Sequence, residues 1–250
     1  MSRNWLMRCV LLAGFFTQQV FAIEFTVLSA GAIEPGLKKA VAAFQQETGH
    51  QAKVTFNTAP QIRKRMTDGE SWDVLIAPPA LLDELGQTKN SSQARVAVGR
   101  VGLGVAVRPN VALPDISTVA ALQRELKSAD SLVFNRASTG IYLEGLLKKM
   151  GIYPELEAKS TRYANGASVL EHVLHGKGRE IGFGAITEIL LYREQGLQLV
   201  GPLPPEIQNY TAYSAIPLNA QGNPELVRRF VQYLGSPAGQ TLFVAAGVQP

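Results

Sequence analysis

Asp130-Ser131-Leu132-Val133-Phe134, followed by Asn135-Arg136-Ala137-Ser138-Thr139-Gly140, reads as a short β-strand that breaks into an amphipathic helix. A strand ending in Ser, Thr and Gly at a helix start presents backbone N–H groups without intrahelical acceptors, two hydroxyls and a positive dipole end. That combination is a ready anion site. Arg136 beside it adds a planar guanidinium that can grip a carboxylate with two hydrogen bonds.

Working outward, three more turns share this character. Leu28-Ser29-Ala30-Gly31-Ala32 ends the first strand, and Pro35 sits at a first helical position just beyond. Asn57-Thr58-Ala59-Pro60 ends a second strand, and Asn165-Gly166-Ala167-Ser168 opens a further helix. Between them, short strand-like runs alternate with helical patterns, the signature of an α/β fold with mainly parallel sheets. Strands are expected at 23–28, 53–56, 73–77, 95–108, 130–134, 180–183, 197–200 and 209–216. The 95–108 run alternates Val101, Leu103, Val105 and Val107 with Gly102, Gly104 and Ala106, leaving one face almost bare for close backbone approach. Asn223-Pro224 and Ser236-Pro237 are two consecutive helix starts.

Two such units, two strand-like connectors and a C-terminus returning as helices imply two lobes with a cleft between them. Residues 23–103 are expected to form the first part of lobe 1, residues 104–211 lobe 2, and residues 212–250 the return to lobe 1. Met1 to Ala22 reads as a secretory signal peptide: Arg3 and Arg8, a short apolar core from Val10 to Phe16, and a cleavage site at Val20-Phe21-Ala22. That apolar run is too short to span a bilayer. The mature protein is therefore expected in the periplasm, without membrane insertion. Export removes Cys9, the single cysteine, and with it disulfides, thiolate chemistry and cysteine metal sites. Without Arg3 and Arg8 the 24 basic residues become 22 against 20 acidic ones, and no basic stripe for nucleic acid remains.

Other motifs are weaker. His172 and His175 share a helix face opposite Val169, Leu170, Val173 and Leu174, and lack the further ligands that a structural zinc needs. Gly176-Lys177-Gly178 is not a P-loop, Gly99, Gly102 and Gly104 are not a dinucleotide fingerprint, and no Ser-His-Asp set is recognisable. No metal or cofactor is expected. Arg63 and Arg65 point in different directions on one helix, so at most one faces a ligand.

VLSAGAIEPGL, the TAP turn, DVLIAPP, NRASTGIY, GREIGFGAITEILL and NYTAYSA together resemble the periplasmic molybdate-binding protein family of ABC importers, type II solute-binding proteins, along the whole mature chain. The resemblance implies a two-lobed fold of mixed sheets flanked by helices. It also implies an anion held by neutral hydroxyls and N–H groups at Ser29, Ala30, Thr58, Ala59, Ser138, Thr139, Ala167 and Ser168, with a membrane importer component as partner. Ala185 stands where that family carries a tyrosine, and Arg136 departs from an all-neutral pocket. Both departures suit a polycarboxylate better than molybdate. The same fold group includes aconitate isomerases, which shift a proton within a tricarboxylate. Glu34, Tyr142, Tyr163 and Ser29 are then possible proton carriers, with none singled out by spacing.

Overall fold

The computed structural model describes residues 22–86, 95–218 and 223–250. The stretch read as a signal peptide lies outside the described residues except for Ala22. Nine strands and ten α-helices are seen among the described residues. In chain order they are β1 (Glu24–Ala30), α1 (Glu34–Thr48), β2 (Gln51–Asn57), α2 (Ala59–Thr67), β3 (Val74–Ala77), α3 (Pro79–Glu84) and β4 (Val96–Val107). There follow α4 (Val119–Ser128), β5 (Ser131–Asn135), α5 (Ser138–Lys149), α6 (Tyr153–Leu156), β6 (Ser160–Tyr163), α7 (Gly166–Leu174) and β7 (Glu180–Ala185). The chain ends with α8 (Ile186–Leu191), β8 (Gln198–Pro202), β9 (Tyr210–Pro217), α9 (Pro224–Gly235) and α10 (Pro237–Val244). Among the described residues no helix is long and apolar enough to cross a membrane.

Every strand expected from the sequence is present. β6 was not expected, because Ser160-Thr161-Arg162-Tyr163 is a short, half-buried edge strand with no apolar alternation to announce it. The helix starts obey local chemistry: the side chains of Thr118, Asn165, Asn223 and Ser236 accept N–H bonds from the first turns of α4, α7, α9 and α10.

The fold is two-lobed. Each lobe has a parallel core, β2-β1-β3 in one and β6-β5-β7 in the other; antiparallel strands β9 and β4 join them, and β8 pairs with β4 alone. β4 serves both: residues 96–102 pair with β9, and residues 103–107 pair with β7 and β8. One core packs Phe25, Phe44 and Phe230 edge to face, with ring centres 5.0–6.4 Å apart. The other gathers Leu103, Leu132, Phe134, Leu143 and Phe183.

The bare face of β4 has a structural use. A Cβ on Gly104 would lie 2.8 Å from Ile186 and 3.0 Å from Ile189, so α8 rests directly on the strand backbone there. Thr187 then donates its hydroxyl to the Ala32 carbonyl, tying α8 to the turn after β1. These two contacts decide where Glu188 goes.

Candidate functional site

A cavity of about 360 Å³ lies where the strand ends meet. The β1–α1 turn contributes Ala30, Gly31, Ala32 and Glu34, and the start of α2 contributes Thr58, Ala59 and Gln61. From the other lobe come Ala137, Ser138 and Thr139 at the start of α5, and Asn165, Gly166 and Ala167 at the start of α7. Glu188 and Tyr213 close the wall. Among the described residues that line it there is no Lys or Arg.

The NRASTG turn is organised by its asparagine. Asn135 is buried, and its Oδ1 accepts from Ala137 N at 2.9 Å and from Gly140 N at 3.1 Å. Its Nδ2 donates to the Thr139 hydroxyl at 2.9 Å. Ser138 and Thr139 thus occupy the first two helical positions with N–H groups that the helix itself leaves without acceptors. The same role falls to Asn165, whose Oδ1 accepts from Ser168 N at 2.8 Å and leaves Gly166 and Ala167 at the first positions of α7. At α2, Gln61 Oε1 accepts from Thr58 N at 2.9 Å and from the Thr58 hydroxyl at 3.0 Å. That reciprocal turn fixes Thr58 at the cavity edge.

Ala30, Thr58, Ala59, Ser138, Thr139 and Ala167 therefore line one cavity, drawn from four separate chain segments. Ser29, Arg136 and Ser168 do not. Ser29 lies in the middle strand of β2-β1-β3 and is fully buried; its hydroxyl donates to the Ala30 carbonyl at 3.2 Å. Arg136 is exposed, just beyond the last residue of β5, which is buried from Leu132 to Asn135. The Ser168 amide is already taken by Asn165. The other arginines are engaged elsewhere. Arg63 grips Glu84 with two bonds of 2.6 and 2.8 Å, Arg65 pairs with Glu70, and Arg162 pairs with Glu144 over the Phe134 ring.

Of the proton carriers considered from sequence, Glu34 reaches the cavity. Tyr142 instead donates to the Ile207 carbonyl at 2.8 Å, and Tyr163 faces His172 Nδ1 at 2.8 Å. His172 is accordingly half-buried rather than on a solvated face, while His175 is exposed beside Glu171. Arg136→Ala is expected to change anion affinity less than twofold in calorimetry, since its side chain lies outside the cavity wall.

Two ionisable residues in the wall escaped the sequence reading. Tyr213 comes from β9, and burial together with the nearby Glu188 pushes its phenol far above the ordinary range. Glu188, in the first turn of α8, is half-buried. Burial and then the charge of Glu34 push its carboxyl up to about 7, against the pull of the Ala185 N–H. A Cβ on Gly31 would lie 3.3 Å from Glu188 Oε1, and one on Gly166 would lie 2.9 Å from its Cδ. The carboxyl thus sits between two of the helix starts, in space that only glycines leave open. An acid in the first turn after Gly-Phe-Gly was the available signal, and as a helix-start residue it reads as ordinary capping.

A model of the bacterial extracellular solute-binding protein family matches residues 25–249. Among curated proteins, an aconitate isomerase from Pseudomonas sp is 29% identical over 234 residues, covering 90% of this chain and 87% of that one. Among solved structures, the periplasmic molybdate-binding protein of Azotobacter vinelandii superposes with a TM-score of 0.75. It is 15% identical and is covered over 99% of its length by 90% of this chain. The sulfate-binding protein SubI from Mycobacterium tuberculosis gives 0.70 at 13% identity, covering 91% of this chain and 87% of that one. At such identities the two structures speak for the fold alone.

Proposed function

The chain belongs to the bacterial extracellular solute-binding protein family, and on that premise we propose that it captures a small carboxylate-bearing anion in this cavity, in the periplasm, for the membrane component of an ABC importer. One observation carries this reading: the starts of α1, α2, α5 and α7 meet around a single cavity. Burying an anion is costly unless its lost water is replaced by donors. Here backbone N–H groups and dipole ends at the starts of α2, α5 and α7, with the Ser138 hydroxyl, replace it without a counter-charge. Hinge closure of the two lobes over the ligand would complete the shell.

The cavity of about 360 Å³ has room for a di- or tricarboxylate. A second reading has its own support: Glu188 is an ionisable group in the wall, able to take up and return a proton. With the similarity to the Pseudomonas aconitate isomerase, it favours an isomerase shifting a proton within a tricarboxylate such as cis- or trans-aconitate.

Calorimetry of the mature protein with molybdate, sulfate, citrate and both aconitates tests the first reading; proton NMR in deuterated water for conversion or exchange tests the second. Organic anions are expected to bind. Binding confined to molybdate would replace the organic anion with an oxyanion, and heat from no anion at all would end the proposal. Ser138→Ala, which removes one hydroxyl from the wall, is expected to weaken a bound anion about five- to tenfold, equivalent to about 1 kcal/mol.

A further inference from the structure

Glu188 poses a problem for any anion entering this cavity. Three sides offer donors, from the starts of α2, α5 and α7, while the remaining wall carries the carboxyls of Glu34 and Glu188 and the phenol of Tyr213. A ligand with acceptors alone would turn some of its oxygens toward an ionised Glu188, and two acceptors in a dry contact repel. The carboxyl cannot simply swing away. It is seated against Gly31 and Gly166, it accepts from Ala185 N–H, and its helix is pinned to the backbone of β4. Among the described residues of the cavity wall there is no cation to neutralise it. The titratable groups that face it from neighbouring elements are Glu34 of α1, itself paired with Lys38 at 2.5 Å, Tyr192 after α8, and Tyr213 of β9. Glu171 of α7, beside His175, completes the set through Tyr192.

We propose that Glu188 makes this a proton-linked anion site that selects for ligands bearing a hydroxyl beside their carboxylates. Such a ligand donates its own O–H to the Glu188 carboxylate and binds without a change in protonation. A ligand with acceptors alone binds only when Glu188 takes one proton from solution and donates it across the contact. The balance is one carboxylate, one proton and one anion in, one protonated carboxyl with bound anion out. This rests on the cavity being the anion site of the preceding section. It goes beyond that reading by naming the feature that decides which anions are accepted.

Matched pairs test it: malate against succinate, and citrate against propane-1,2,3-tricarboxylate, each differing by one hydroxyl. Titrations at pH 6 and pH 8 straddle the Glu188 value of about 7. The hydroxyl-free member of each pair is expected to lose about tenfold in affinity between them, as the protonated fraction falls. It should also take up close to one proton at pH 8, read from the dependence of binding heat on buffer ionisation. The hydroxylated member should lose less than threefold and take up almost none. Glu188→Gln should erase the difference in pH slope. Glu34→Gln should move the midpoint of the slope to lower pH, which a purely structural Glu188 would not do. Equal slopes within each pair, unchanged by Glu188→Gln, would overturn the proposal while leaving the cavity an anion site. Failure of every anion to bind would overturn both readings together.

Discussion

Gly140→Ala is expected to destabilise the protein by about 3 kcal/mol and to abolish tight anion binding. The added methyl would fall onto the Asn135 backbone carbonyl and lie 2.9 Å from Asn135 Oδ1. Neither atom can yield cheaply. The carbonyl belongs to the last residue of β5, and Oδ1 holds the amides of Ala137 and Gly140 at 2.9 and 3.1 Å. Relief requires the start of α5 to move off β5, which leaves two buried N–H groups unpaired. Overpacking of this kind costs about 1–3 kcal/mol, and each orphaned buried donor about 1–3 more. Alanine's better helix propensity returns only about 1. Steric cost therefore wins, and a net loss of about 3 kcal/mol lowers the melting midpoint by roughly 6–12 °C for a chain of this size. The same displacement carries Ser138 and Thr139 away from the cavity. Thermal melting and calorimetry of the variant check both effects, and a midpoint within 2 °C of the parent would show that the strand-to-helix junction adapts.

Glu188→Gln should act in the opposite direction, and only above a definite pH. The folded protein holds the Glu188 proton up to about 7, whereas an exposed glutamate releases it near 4.5. Below 4.5 both states are protonated and the variant gains nothing. As pH rises from 4.5 to 7 the unfolded chain ionises first, so stability falls across that window and stays low above it. The gap corresponds to roughly 3 kcal/mol, and contact of the carboxyl with cavity water reduces it to about 2. Glutamine keeps the shape and the acceptor for Ala185 N–H without the charge. It should therefore stabilise the ligand-free protein by about 2 kcal/mol at pH 8, or roughly 4–8 °C, and leave it unchanged at pH 4.5. Equal melting curves at pH 8 would mean that the carboxyl is as well hydrated in the fold as outside it.

A stabilising substitution inside a cavity wall is characteristic of a functional residue, because selection for binding keeps a group that folding alone would discard. Glu188 fits that pattern and Asn135 does not. Asn135 is consistent with folding at every level: it ends a strand, starts a helix and satisfies its own polar atoms. On the proposed reading its neighbours supply the anion donors, while Glu188 sets the terms on which an anion enters.

Much of this was legible in the chain itself. The strand-turn-helix order and the four Ser, Thr, Asn and Gly turns that line the cavity follow from local rules. Hydrophobic period, helix-start chemistry and proline position all act within a few residues. The bare face of β4 was readable for the same reason, as a run of small residues on one side of a strand. By contrast, β6 left no such mark, since a short polar edge strand borrows its conformation from β5.

Side-chain direction at the site was decided only in three dimensions. Arg136 and Asn135 are adjacent, yet one is exposed and the other buried, because β5 and its packing end at Asn135. Ser29 has the residue type of an anion ligand, but β1 runs between β2 and β3, so its hydroxyl turns to the nearest carbonyl. Glu188 and Tyr213 enter the wall from α8 and β9, elements whose places depend on Gly104, on Thr187 and on the antiparallel return of the chain. Local chemistry fixed where donors can appear; the long-range contacts, which no window of sequence contains, fixed what stands opposite them.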